Sequence, residues 1–202
     1  IFPHEGDGKP TPPPPYKVVE IIECNYPYSP REISRMQDDH GPSDPFYVDP
    51  SRLRFMHAGF SNKFSDGRSV EETTNSLLED IGLARHLTPI HLVVIEYPKG
   101  KKMLFTQDHR RVLAFRKANE ILTKRGERPL YIKALFPAGK NIKVRENFTT
   151  KTLGTKAEVR EYSVGGAHQV HRWSTLPKDA EVYRWQSYTT ASPMTASPAT
   201  SL

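Results

Sequence analysis

The residues best suited to chemistry form one short run, Asp108-His109-Arg110-Arg111, followed at once by apolar residues at helical spacing. The first turn of a helix has backbone N–H groups without intrahelical partners and carries the positive end of the helix dipole, so it favours an anion. Two arginines placed there are locally unfavourable by roughly 0.3–1 kcal/mol each, and a phosphate or carboxylate would compensate both. The plain alternative is a solvated arginine pair. His109 adds a group that can donate to a phosphate or exchange a proton near neutral pH, or else make a cap-region hydrogen bond. Asp108 reads first as the helix cap, with an orienting role in addition.

Charge points to the same place. Lys99 to Arg128 holds ten Lys or Arg against Asp108, Glu120 and Glu127, an excess larger than the +6 of the whole chain. A basic balance, with a pI near 9.4, suits polyanions such as nucleic acid, nucleotides or acidic membranes, and the basic run alternatively reads as a solvated helix face. Cys24 is the single cysteine, which excludes an intrachain disulfide,. Its place at the end of a strand-like run favours a buried structural thiol. The most apolar stretch, Ile90 to Ile95, is strand-sized and far short of the roughly 20 residues that cross a bilayer,.

Several weaker signals stand apart. His168 and His171 have a helical spacing that could share a metal, but Gly165-Gly166 before them argues for a loop, and no metal site is assigned,. Trp173, Tyr183, Trp185 and Tyr188 suit either base stacking or a small core,. The chain starts at Ile1, for which a removed secretion signal is one explanation, and Asn147-Phe148-Thr149 is a glycosylation sequon that matters only on export,.

The elements that must position the run follow from pattern. Residues 1–15 are proline-rich and read as an extended leader, while Ser, Thr, Ala and Pro from Thr189 onward read as a flexible tail,. Tyr16 to Cys24 predicts a strand and Asn25 to Pro50 a long connection,. Arg52 to Met56 predicts a short strand, and Ser65-Asp66-Gly67-Arg68 a turn,. Ser69 with Glu72 forms a capping box for a helix over 70–81, with Gly82 as a left-handed stop,. Pro89 to Tyr97, the turn Pro98 to Lys101 and Lys102 to Thr106 predict a hairpin. Asp108 then caps a helix to Lys124, Gly126 lies beyond its end, and Leu130 to Phe136 predicts a returning strand,.

The segment Leu104 to Ala118, in which a strand runs into Gln107-Asp108-His109-Arg110-Arg111, resembles the signature of the ParB/sulfiredoxin fold, where a strand enters a Gly-Glu-Arg-Arg helix start. The setting agrees. Phe64-Ser65-Asp66-Gly67-Arg68, the helix after Val70 and Thr88-Pro89-Ile90 follow the family's order, so the likeness covers roughly residues 50–136. It is strongest to ParB-like domains of secreted bacterial toxins and effectors, in which Asp-Asn-Arg-Arg commonly stands at this place. The chain departs in lacking the Gly and Glu and in having no cysteine near the loop, which removes sulfiredoxin chemistry.

The resemblance implies an α+β domain with a small mixed sheet; with the N-terminal strand the domain is expected over 16–136, and the residues beyond it read as a β-rich extension over 137–188. It implies that Arg110 and Arg111 bind phosphate, with Ser65 and Arg68 as further phosphate ligands, and that His109, Asp108 and His57 carry catalysis. His57 enters because the fold brings the His57 to Ser61 segment to the helix start as the second wall of a cleft. Ser65, Asp66 and Arg68 alternatively shape only a turn. The implied function is a phosphate-handling enzyme of the toxin or effector type, a nuclease or nucleotide hydrolase, with nucleic acid or nucleotide as partner. Nucleoside triphosphate and Mg²⁺ are the cofactor candidates. The alternatives are a non-catalytic nucleotide- or DNA-binding module and a secreted interaction protein on the same scaffold. The expected location is secreted or delivered, with the cytoplasm as alternative.

Overall fold

A computed structural model describes residues 16–138, 144–162 and 174–183. The regions read as leader and tail, and with them His168, His171, Trp173, Trp185 and Tyr188, lie outside these residues.

The chain begins with β1 (Tyr16–Glu23). The expected long connection after it contains two elements. Helix α1 (Pro30–Asp39) starts at Ser29, whose hydroxyl accepts from the Glu32 N–H while Glu32 reaches back to the Ser29 N–H, and Pro30 occupies the first turn without costing a needed donor,. Strand β2 (Phe46–Val48) follows. A 3-10 turn at Pro50–Arg52 leads to β3 (Arg54–Phe55) and β4 (Gly59–Ser61).

Helix α2 (Val70–Glu79) has the expected Ser69–Glu72 capping box but ends two residues early. Asp80 takes an extended conformation there, and Gly82 has φ −62°, so it is not a left-handed stop but leads into the short helix α3 (Leu83–His86). The hairpin is as expected, β5 (Ile90–Glu96) and β6 (Lys102–Thr106), antiparallel around Gly100 at φ +84°. Helix α4 (His109–Lys124) closes with Gly126 at φ +74°, the left-handed residue that lets its last carbonyls find donors,. Strand β7 (Ile132–Leu135), helix α5 (Val144–Asn147), β8 (Lys156–Tyr162) and β9 (Glu181–Val182) complete the order.

This is an α+β fold with mixed sheets. The larger sheet runs β2-β7-β5-β6-β3, with β9 beside β5, and the smaller runs β1-β8-β4. Strand β5 is buried on both faces, which explains why its sequence is nearly continuous in apolar residues,. Ile90, Leu92 and Val94 join the main core with α2 and α4, while Val93 and Ile95 face a second cluster with Met103, Phe105 and Phe148.

Helix α4 is fastened by Arg116, a nearly buried guanidinium. Its Nε donates to the Pro50 carbonyl at 2.8 Å, Nη1 to Glu23 at 3.0 Å, and Nη2 to Ser51 at 3.0 Å and Leu53 at 2.9 Å. Burial pushes its pKa down, and four carbonyl dipoles offset the lost hydration of the cation,. Arg116→Met should lower unfolding free energy by about 3–5 kcal/mol, since it leaves the buried Pro50 and Leu53 carbonyls, and the part-buried ones of Glu23 and Ser51, without their donor,. Lysine should not restore it, having no planar fork. Urea denaturation of the three proteins measures this.

Near the α1 start, Glu32 takes two hydrogen bonds from Arg52, at 2.9 and 2.8 Å. These, with the Ser29 donors, hold its carboxyl down at about 2 against 4.5. A depressed carboxyl contributes stability above its unfolded value and loses it as the acid form returns. The melting-temperature gap between wild type and Glu32→Gln should therefore be present at neutral pH and close between pH 4.5 and about 2. The pair is part exposed, so the gap should stay small, under about 1 kcal/mol.

Candidate functional site

The start of α4 and the segment from His57 to Arg68 face each other across one cleft of about 1010 Å³. That is the size of a cavity able to enclose a nucleotide-sized molecule. Thr88 lies on the rim, and Glu161 and Tyr162 come from the end of β8.

Asp108 stands at the N-cap position, but its side chain does not bond the helix N–H groups. Its Oδ2 accepts from the His91 N–H at 2.8 Å and its Oδ1 from Arg111 Nη2. The expected cap is therefore a brace between α4 and β5, because an extended strand N–H and a guanidinium outcompete the helix donors. The Asp108 N–H itself donates to Thr106 Oγ1 at 3.0 Å.

His109 is 4% exposed. Its Nε2 accepts from two backbone donors, Met56 N–H at 3.1 Å and His57 N–H at 3.3 Å, which places the neutral ring's proton on Nδ1,. The ring lies against Phe55 and Phe60, and the His57 ring is 4.4 Å away. Acid–base work at Nε2 would require both backbone bonds to break. His57, by contrast, is part exposed and lines the cleft.

The two site arginines have different surroundings. Arg111 donates through Nη1 to the Thr88 carbonyl at 2.7 Å and hydroxyl at 3.0 Å, and pairs with Asp108. Arg110 donates from Nη1 to the Lys63 carbonyl at 2.7 Å, and its guanidinium lies 5.5 Å from the Phe64 ring centre. The opposite wall carries the turn expected at 65–68. Gly67 has φ +89°, the Phe64 N–H donates to the Arg68 carbonyl, and Asp66 accepts from the Arg68 N–H and pairs with its guanidinium at 2.7 Å. Arg68 holds the Asp66 carboxyl below its usual range. The Arg68 side chain is 67% exposed, and Ser65 lies beside it on the cleft wall.

Residues not singled out as site candidates also reach the cleft, among them Lys63, Thr88, Glu161 and Tyr162. Lys63 is legible only as a neighbour of the turn. Glu161 and Tyr162 arrive because β8 pairs parallel to β4 across nearly a hundred residues, which no spacing rule reveals. Among the other candidates, Cys24 is buried, and burial pushes its thiol pKa up. Tyr183 donates to the Glu96 carboxylate under the Lys102 ammonium and packs at the edge of the second cluster's strands.

Among the described residues no group of three or more His, Cys, Asp and Glu side chains could hold a metal ion, and no helix is long and apolar enough to cross a membrane.

His109→Phe should keep the ring packing and remove the Nε2 acceptor. The buried Met56 N–H and the part-buried His57 N–H would lose this acceptor, so stability should fall by about 1–3 kcal/mol,. Amide exchange at Met56 and His57 should quicken more than in the sheet, as hydrogen-exchange mass spectrometry would read; uniform exchange would contradict the assignment.

No protein-family model matches the chain, nor does any curated protein or solved structure.

Proposed function

We propose that the chain is a ParB/sulfiredoxin-type phosphate-handling enzyme of the toxin or effector kind, whose cleft receives a phosphate of a nucleotide or nucleic acid at the start of α4. One observation carries the reading: the first turn of α4, flanked by Arg110, opens on a cleft whose far wall bears Lys63 and Arg68. Arg68 is paired with Asp66 and Asp108 with Arg111, and the remaining lining charges, Arg110 and Lys63 against Glu161, still favour an anion. A phosphate there meets the helix dipole and charge-assisted donors together. The order of turn, α2, β5–β6 hairpin and α4 supports the family reading.

In this scheme Arg110 is the clamp, Arg111 the strut that sets the helix start, and His57 the group that moves a proton at the reacting oxygen. Asp108 and His109 position the walls. A second reading, a binding module without chemistry, is favoured by that last point, since two of the three catalytic candidates serve the architecture. Incubating the protein with DNA, RNA and each nucleoside triphosphate, with and without Mg²⁺, separates the two. Turnover lost in His57→Ala with binding retained supports the enzyme, and binding without turnover supports the module.

Arg110→Ala should weaken nucleotide or polynucleotide affinity about tenfold to a hundredfold, the worth of a lost charge-assisted hydrogen bond, with the melting temperature unchanged. Lysine should rescue in part. Arg111→Ala should lower affinity and melting temperature together, because Thr88 and Asp108 lose their shared donor. Calorimetric titration at two salt concentrations, beside thermal melts, checks both, and wild-type affinity in Arg110→Ala would remove the clamp.

A further inference from the structure

The outer face of the β2–β7 ladder is built unlike the rest of the large sheet. Phe46 and Val48 of β2 and Ile132 and Ala134 of β7 point into the main core. Tyr47 points outward, and its cross-strand partner is Lys133. Tyr131 precedes Lys133 by two positions, so it stands on the same side, diagonal to Tyr47. Both rings are half exposed, at 53% and 54%.

The second apolar cluster covers this side of the sheet over β5 and β6, burying Val93, Ile95, Met103 and Phe105. Among the described residues the cover stops short of the start of β5, where His91, paired with Leu135 of β7, is exposed. A lone exposed aromatic needs no explanation. Two on one open ladder, with a lysine between them, form a pattern that recognises flat rings joined by anions.

We propose that this face is a platform for single-stranded nucleic acid, with Tyr47 and Tyr131 stacking two bases and Lys133 meeting the phosphate between them. Alternate positions along an extended strand are about 6.6 Å apart, which sets the Lys133 backbone one step from that of Tyr131. Charge favours this occupant. The outward residues of the paired strands, Tyr47, Lys133 and Leu135, include no acid; Arg85 and His86 are exposed beside Lys133, whose Nζ donates to the Arg85 carbonyl; and Arg125 and Arg128 before Tyr131 outnumber Glu127 between them, while Asp49 beyond Val48 is engaged by Ser51. A duplex hides its base faces and offers these rings nothing to stack on. The platform stands on different residues from the cleft and does not depend on it.

The test is fluorescence anisotropy with a fluorescein-labelled 15-mer of deoxythymidine and a duplex of the same length. The wild type should bind the single strand more tightly than the duplex. Tyr47→Ala and Tyr131→Ala should each weaken it about tenfold, Tyr→Phe should bind like wild type, and the exposed substitutions should leave the melting temperature unchanged. Nucleoside triphosphate binding, the readout of the cleft, should be unaffected in the tyrosine variants and lowered in Arg110→Ala, so either idea can fail without the other. Wild-type affinity in the double alanine variant, failure of phenylalanine to rescue, or equal binding of duplex would each overturn the proposal. So would a dimer in light scattering that the double variant abolishes, which would give the face to a second copy of the chain.

Discussion

One face of α4 holds the segment from Pro50 to His57 at two points, and the site depends on that grip. His109 and Arg116 are seven residues apart, two helical turns, and so project on the same side about 10.5 Å from each other. Arg116 takes the carbonyls of Pro50, Ser51 and Leu53, and His109 takes the N–H groups of Met56 and His57. Phe55 lies between them, with the guanidinium 4.6 Å from its ring centre and the imidazole 6.0 Å. Donors bind acceptors at one end and an acceptor binds donors at the other, so sliding the strand along the helix would unpair both. The wall carrying His57 is thereby indexed to the helix start carrying Arg110.

The same grip explains how a helix can begin with two arginines. The positive dipole end disfavours both. Asp108 removes half the difficulty by pairing with Arg111, and Thr88 takes what remains of that guanidinium's front. Arg110 keeps its cation close to the dipole, held by one carbonyl and the Phe64 face. The charge left without a carboxylate at the helix start is that of Arg110, which lines the cleft, where an anion would relieve it.

What could be read in the sequence was the local part. Ser69–Glu72 marked α2, and Gly126 marked the end of α4, because each signal acts within one turn of the chain. The equal signal Ser29–Glu32 was masked by the surrounding Pro27, Pro30, Asp38 and Asp39, a composition that resembles a connection although Pro30 at the first helical position favours a helix,. Gly82 misled in the other direction, since Asp80 had already broken the helix by accepting the Gly82 N–H. For the site, the run Asp108 to Arg111 was visible as a place but not in its division of labour. Whether Asp108 caps or braces depends on His91, and whether His109 titrates or packs depends on Met56, contacts set by tertiary structure.

The far wall shows the same limit more strongly. Strand β8 lies between β1 and β4, and its Ala157 and Val159 sit in the main core while Arg160 turns to the other side. A Cβ at Gly59 would fall inside the Arg160 guanidinium, which is paired with Glu158 and lies over the Tyr16 ring at 4.3 Å. The absence of a side chain at Gly59 is thus what lets β4 and β8 pair closely with that guanidinium across them. Their pairing continues to Ser61 opposite Arg160, and the next residues on each strand, Asn62 on one and Glu161 and Tyr162 on the other, are the ones that enter the cleft. The pairing that brings this wall to the cleft therefore joins residues nearly a hundred positions apart and outside the cleft itself, which is why no motif in the chain announces the wall they place.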